Sequence, residues 1–426
     1  MKRFKILLMS VMCLFFLCKE AKAQTDETIA IQELLDKAFD KNEAVYLEAR
    51  YYYVTNLNIK VNIIGKKGTV IQRINNKSSK EKDEKYNFCR IDNIHNIKIE
   101  NVVFNGSNSG INDTSGVIPL FILNSSNINI QNCQFINSNT AGLRISHSNS
   151  ISILNSKSSN NYGTFGDGFY VEQSNNISFE NCVADNYNRI GFVLDLNVKN
   201  VVFKNCKASN GNNASILTGG IEQNAGFWFE KAGDISVIDC TANNNTHYGF
   251  LAVSGLDKSD ENVSFNFQNC RSYNNNIGFK AGSLGKNAVK VSFKGCETTN
   301  VKSGIEISCK NINDIYLIES CKIGYNVGND YSTGIFLHTR YDGKSLVKCD
   351  VRNTIFVYPQ GASNSFLKSK NSYNSDIYID NVNRVLFNFS NNSNNISRKI
   401  LLKSPTINST FSSSIKDKVL TVNSIK

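Results

Sequence analysis

The chain has 426 residues, 41% of them hydrophobic, a formal net charge of +11 and only three prolines. That is enough apolar material for a large core, and with no Pro/Ser-rich linker the expectation is one elongated domain. No cationic cluster interleaves with aromatics, and nothing past the first two dozen residues is apolar for the length of a membrane helix, so neither a nucleic-acid partner nor a membrane span is expected.

The chain opens MKRFKILLMSVMCLFFLCKEAKAQ. Three cations precede an apolar run from Ile6 to Cys18, and Ala21-Lys22-Ala23 fits a small-x-small cleavage site. Residues 1–23 therefore read as a secretory signal peptide cut near Ala23, which places the mature chain in the periplasm, at the cell surface or outside the cell. Losing the five cations and one anion of this leader lowers the charge to about +7. A basic exported protein favours acidic polymers such as polyuronates; solvated lysines with no partner produce the same charge.

Residues 24–403 form the expected main domain. It begins with DETIAIQELLDKAF, where Ile29, Leu34, Leu35, Ala38 and Phe39 suggest an amphipathic helix over 26–39. Such a helix would cover the unpaired strand edges of whatever follows it. AVYLEARYYYVTNLNIKVNIIGKKGTVIQ then alternates as strands with turns at Gly65 and Gly68, and the charged stretch from Ser78 to Lys85 reads as a loop.

From residue 128 a repeat appears. INIQNCQF, ISILNSKS, ISFENCVA, VVFKNCKA, ISVIDCTA, FNFQNCRS, VSFKGCET and YLIESCKI succeed one another, and in each line a Gly later meets an apolar residue, as in Gly168-Phe169, Gly191-Phe192 and Gly226-Phe227. Short alternating runs divided by Asn, Gly and Ser read as strands separated by bends. One line cannot bury its apolar face alone, whereas stacked lines bury it continuously, which implies a parallel β-helix. Cys133, Cys182, Cys206, Cys240, Cys270, Cys296 and Cys321 share one repeat position, and Ser156 fills the eighth. Recurring once per line between polar neighbours, they read as an inward column of thiols rather than disulfides or metal ligands. The residues before them, mostly Asn, tolerate the left-handed bend of a sharp corner, and stacked asparagines would form an amide ladder. The pattern decays beyond about Cys349, and residues 404–426 are expected to cap the end or hang free.

The order of helix, VYLEARYYYVTNLNI, IIGKKGTVI and degenerate coils resembles the pectate-lyase-like superfamily over roughly residues 26–350. The resemblance implies an all-β, single-stranded right-handed parallel β-helix solenoid with a short N-terminal capping helix, and a carbohydrate-active function. In many relatives a Pro-Gly-Tyr-like turn stands where Glu48-Ala49-Arg50-Tyr51 stands here. The Asp-Asp pair and Gly-His-Gly of the polygalacturonase-type pattern are absent, and no lyase arginine can be matched, so no family active site is carried over.

The strand after each glycine offers a candidate site of its own. Alternation puts two rows outward: Arg144, Tyr170, Val193, Trp228, Leu251, Lys280, Glu306, Phe336, and Ser146, Glu172, Asp195, Glu230, Val253, Gly282, Ser308, His338. Glu172, Asp195 and Glu230 would then stack on consecutive coils ~4.8 Å apart. Like charges so close should raise a pKa or attract a cation. Two such carboxylates suit acid–base cleavage of a glycosidic bond, and Glu172 with Asp195 would suit Ca²⁺, if any cofactor is used. Asp167, in the turn GDG, is a further candidate acid. His247, one coil beyond Glu230, is a candidate for acid–base work. Tyr170 and Trp228, the only tryptophan, are candidate sugar platforms, and Arg189 and Lys231 candidate uronate ligands. The expected function is cleavage of an acidic polysaccharide by a lyase or hydrolase; a non-catalytic adhesin or glycan-binding β-helix, or an epimerase, is the alternative.

Overall fold

The computed structural model describes residues 25–425 apart from 75–86, 108–115, 164, 212–222, 254–262, 284–287, 310–313, 327–331, 340–345, 358–374, 381–383, 391–397, 404–409 and 415–419, and from 375 onward gives backbone strands alone. The expected leader and the charged loop at 78–85 lie outside the described residues.

A helix, Thr28–Lys41, precedes the first coil. Ile31, Leu35 and Ala38, at helical spacing, are the buried face; Ile29, Leu34 and Phe39, expected to be buried, are exposed. Asn42 ends the helix in the left-handed conformation, φ 55, its N–H reaching the carbonyls of Ala38 and Phe39. Arg50 holds Glu27 with two hydrogen bonds of 3.0 and 2.8 Å, which ties the helix start to the first coil.

Every described strand pair beyond it is parallel, and the central coils carry three strands each, as in Asn149–Leu154, Lys157–Asn161 and Asp167–Glu172. This is the parallel β-helix the repeat implied. The ladder continues through Arg398–Lys403 to Leu420–Ile425. Residues expected to cap the end or hang free therefore contribute Thr410–Ser414 and Leu420–Ile425 as further strands.

The interior is layered by residue type. Phe169, Phe192, Phe227, Phe250 and Phe279, each following a glycine, stack face to face with centroids 4.7–4.9 Å apart. At the corner the seven repeat-position cysteines are buried and unbridged, each thiol donating to the carbonyl two residues back. Ser156 makes the same bond, to Leu154 O at 2.9 Å. The residue before each is left-handed, from Asn132 at φ 52 to Ser320 at φ 54, and the amides of Asn181 and Asn205 bond to the coil below at 2.9 and 2.7 Å.

The glycines of the repeat set up the outer face. A Cβ on Gly191 would lie 2.6 Å from the Gly226 carbonyl oxygen and 2.9 Å from Ala208 Cβ, so this position faces inward against backbone of the next coil. Both the glycine and the phenylalanine after it are thus turned to the interior, and the residue before the glycine is turned out. Ile190, Ala225, Tyr248 and Ile277 form an apolar patch apart from the main core, with Tyr170 and Trp228 packed on it. Asp167 shares that row.

Candidate functional site

The site is built on four successive strands of one face, Ala141–Ser146, Asp167–Glu172, Ile190–Asp195 and Ala225–Phe229. Their register pairs Arg144 with Tyr170, Tyr170 with Val193 and Val193 with Trp228, and in the second row Glu172 with Asp195. Glu230 N–H donates to Leu194 O at 2.8 Å, which continues that row one coil further. The three acids therefore occupy one column, but they are not three equivalent exposed carboxylates.

Glu172 is only 7% exposed, because Arg144 from the coil below folds over it with contacts of 2.6 and 3.1 Å to one carboxylate oxygen. The Arg144 guanidinium lies between the Phe121 and Tyr170 rings, 5.4 and 5.3 Å from their centroids. Like charges on adjacent parallel strands are costly, and the cation set between rows relieves that cost. Glu172, expected to be an open acid, is thus covered by Arg144. Among the described residues no three His, Cys, Asp or Glu side chains converge on a metal-sized space.

Asp167 is the first residue of its strand rather than the last of a turn, and it is buried. Arg189, expected to be available to a uronate, is committed to it: Nε donates to Oδ1 at 2.9 Å, Nη2 contacts Oδ2, and Ile190 N–H adds a third bond at 3.1 Å. Burial pushes the Asp167 carboxyl up from its ordinary value against the pull of Arg189. Burial likewise opposes the Arg189 charge, yet Asp167 outweighs it and holds the guanidinium above its ordinary value. The two-pronged contact is that of a carboxylate on a guanidinium. Arg189 also lies over Phe165, 4.9 Å from the ring.

Asp195 and Glu230 are placed differently. Asp195 accepts the Tyr170 hydroxyl at 3.2 Å and its neighbour's N–H, from Leu196, at 2.7 Å. Glu230 accepts the Trp228 indole N–H at 3.2 Å. Both are part-buried, and neither has a cationic partner among the described residues. Burial, then the nearby charges of Asp195, Glu172 and Asp167, push the Tyr170 phenol well above its ordinary value, so it remains a donor.

Two adjoining cavities open here. One, about 320 Å³, is lined by Val193, Asp195, Gln223, Trp228 and Glu230, together with Phe165, Arg189 and Ile190. The other, about 390 Å³, is lined by Ala141, Arg144, Asp167 and Tyr170, among others. Phe165, Arg189 and Asp195 border both, so Asp195 stands at their junction.

Two candidates fall elsewhere. His247 precedes Tyr248, which pairs with Ala225, and so sits at the opposite end of the strand from Glu230, roughly 20 Å along it. Its Nδ1 is 3.3 Å from Asn276 Nδ2. Lys231 forms the left-handed corner after Glu230, φ 51, and lines neither cavity. Arg144 and Phe165 went unnoticed as site residues. Arg144 was legible, standing one coil below Tyr170 and diagonal to Glu172, whereas nothing in the sequence marked Phe165.

Residues 44–257 match the protein family described as a right-handed β-helix region. No curated protein gives a significant match. Among solved structures, the chain is similar to a family 28 exopolygalacturonase of Yersinia enterocolitica, at 12% identity over 95% of this chain and 75% of that one, TM-score 0.44. It is similar to the A-module of the mannuronan C-5 epimerase AlgE4 of Azotobacter vinelandii, at 14% identity over 94% and 96%, TM-score 0.46. It is also similar to PfbA, a surface adhesin of Streptococcus pneumoniae, at 12% identity over 93% and 90%, TM-score 0.44. No described helix is long and apolar enough to cross a membrane.

Proposed function

The chain belongs to the right-handed β-helix family, and on that scaffold we propose that the cavity between Asp195 and Glu230 binds a glycan and cleaves its glycosidic bond outside the cytoplasm, after removal of the leader. One observation carries the reading. Of the four acids around these cavities, two are consumed by arginines, while Asp195 and Glu230 stand on adjacent coils with only neutral hydrogen-bond donors among the described residues, at the wall of an aromatic-lined cavity.

Trp228 and Phe165 supply ring surface for a sugar face, and the two carboxylates supply the acid and the base or nucleophile. Asp195, with two donors among the described residues, takes the role that enters the reaction as an anion; Glu230, with one, protonates the leaving oxygen. Their coil spacing of ~4.8 Å is closer to the ~5–5.5 Å of retaining glycosidases than to the longer inverting separation. The basic charge of the whole chain favours an acidic polymer, but the described residues of the site set two guanidiniums against four carboxylates. An acidic unit at the cleavage point would meet that excess, so a neutral, hydroxyl-rich sugar suits it better.

A panel of neutral and acidic polysaccharides, assayed for reducing ends and for absorbance of unsaturated products with and without calcium, tests the reading. New reducing ends on a neutral polymer, lost in Asp195→Asn and Glu230→Gln, are expected. Unsaturated products would replace hydrolysis by elimination. Retention of a polymer with no turnover on any of them would make the protein a glycan-binding module.

A further inference from the structure

Beyond the cavity the same face carries a second group of charged side chains, and they connect to it. Tyr248 is buried one coil above Ala225, and its ring meets the Trp228 ring edge to face, centroids 6.0 Å apart at 84°. Lys280 Nζ lies 5.4 Å from the Tyr248 centroid. Lys280 is in turn bound to Glu306 Oε1 at 2.7 Å, and His338 Nε2 reaches the same oxygen at 3.2 Å. Lys280 and Glu306 are each 8% exposed.

A buried ion pair is seldom more stabilising than apolar side chains of the same size, and the same row carries Leu251 and Phe336 at neighbouring coils. Stability alone therefore gives no reason for an ammonium here. What a lysine supplies, and a leucine does not, is a positive charge held against the face of a ring, whose edge is then presented to the next aromatic.

We propose that Lys280, anchored by Glu306 and His338, is a positioning residue that acts through Tyr248 to hold the Trp228 indole in place as the sugar platform. Burial opposes ionisation of Glu306, but His338 and Lys280 outweigh it and keep the carboxyl down at about 2, so the anchor remains charged. The fixed indole also directs its N–H at Glu230. The inference rests on the cavity being a glycan site only for its kinetic consequence.

Trp228 is the only tryptophan in the chain, so its emission reports on this arrangement with no sugar present. In Lys280→Met, and in Tyr248→Leu, the indole is expected to be about twofold more accessible to acrylamide quenching, with a shifted emission maximum. Lys280→Arg and Tyr248→Phe, which keep the charge and the ring, should resemble the parent. If Lys280→Met fails to fold, Tyr248→Leu, which removes no charge, carries the test. Emission and quenching unchanged in the folded variant overturn the proposal. With a cleaved polymer in hand, Lys280→Met should raise KM several-fold and lower kcat by a smaller factor, through the loosened Trp228 N–H on Glu230. Loss of turnover across all variants and the parent alike would instead count against the glycan reading and leave the fluorescence result standing.

Discussion

Arg189 grips Asp167 through one edge of its guanidinium, Nε and Nη2, across one coil of the solenoid and over the Phe165 ring. The contact pairs the candidate fourth acid with a candidate substrate cation at the wall of the cavities.

Breaking that tie from one side leaves a buried charge alone. Asp167→Asn or Arg189→Met is expected to cost about 3 kcal/mol or more, whereas Asp167→Leu combined with Arg189→Met should cost less than either single change. Chemical-denaturation midpoints of the three variants check this; a double variant less stable than both singles would show that the pair is not what the corner depends on.

Asp195→Asn and Glu230→Gln should each lower kcat by ~10²–10⁴-fold on a polymer the protein cleaves, with melting behaviour retained. Glu172→Gln, which strands Arg144, should affect stability more than turnover. Retention of anomeric configuration, read by NMR on the first-formed product, is expected from the short coil spacing, and an inverted product would reassign the pair.

Acid should weaken the upper face through Glu306. Its carboxyl sits at about 2 in the folded chain against an ordinary 4.5. The stability it contributes is therefore complete above about pH 4.5 and is lost as pH falls through about 2. Denaturation midpoints taken from about pH 5 down to about pH 2 should fall more steeply for the parent than for Glu306→Gln. Equal slopes would show that Glu306 is not held down as described.

The corner thiols should be chemically silent. Burial is the main push that takes the corner thiol of Cys133 up to about 12 and raises that of Cys296 well above the ordinary value, and it does the same to Cys89 and Cys349, which lie within strands rather than at the corner. At about pH 8 a thiol reagent should leave the nine described cysteines of the folded chain unmodified and label them on unfolding. Cys206→Ser should cost no more than about 1.5 kcal/mol, since Ser156 already fills the equivalent position with the same backbone bond. Rapid labelling of the folded chain at any of the seven corner cysteines, located by peptide mapping, would contradict the buried column.

Much of this is legible in the sequence. The Asn-Cys landmark located the corner, and the Gly-Phe landmark located the interior stack, because each coil repeats one steric requirement and a repeat makes such requirements visible. The row placing Glu172 beside Asp195 followed from strand alternation alone. What alternation could not show was the extra outward row before each glycine. It arises because Gly191 and its equivalents press against backbone of the next coil, so two successive residues face in. Asp167 was misplaced in the turn for that reason, and the apolar patch of Ile190, Ala225, Tyr248 and Ile277 was not foreseen.

The sequence by itself determined the solenoid, its thiol and phenylalanine columns and the register of its acidic column, since these depend on short-range periodicity and on the stacking of like on like. Only the tertiary structure decided which acids remain open to a ligand. That outcome depends on where long arginine side chains reach across coils, and residues 28 and 22 positions apart in the chain, Arg144 with Glu172 and Asp167 with Arg189, carry no local signal of which one will claim the other.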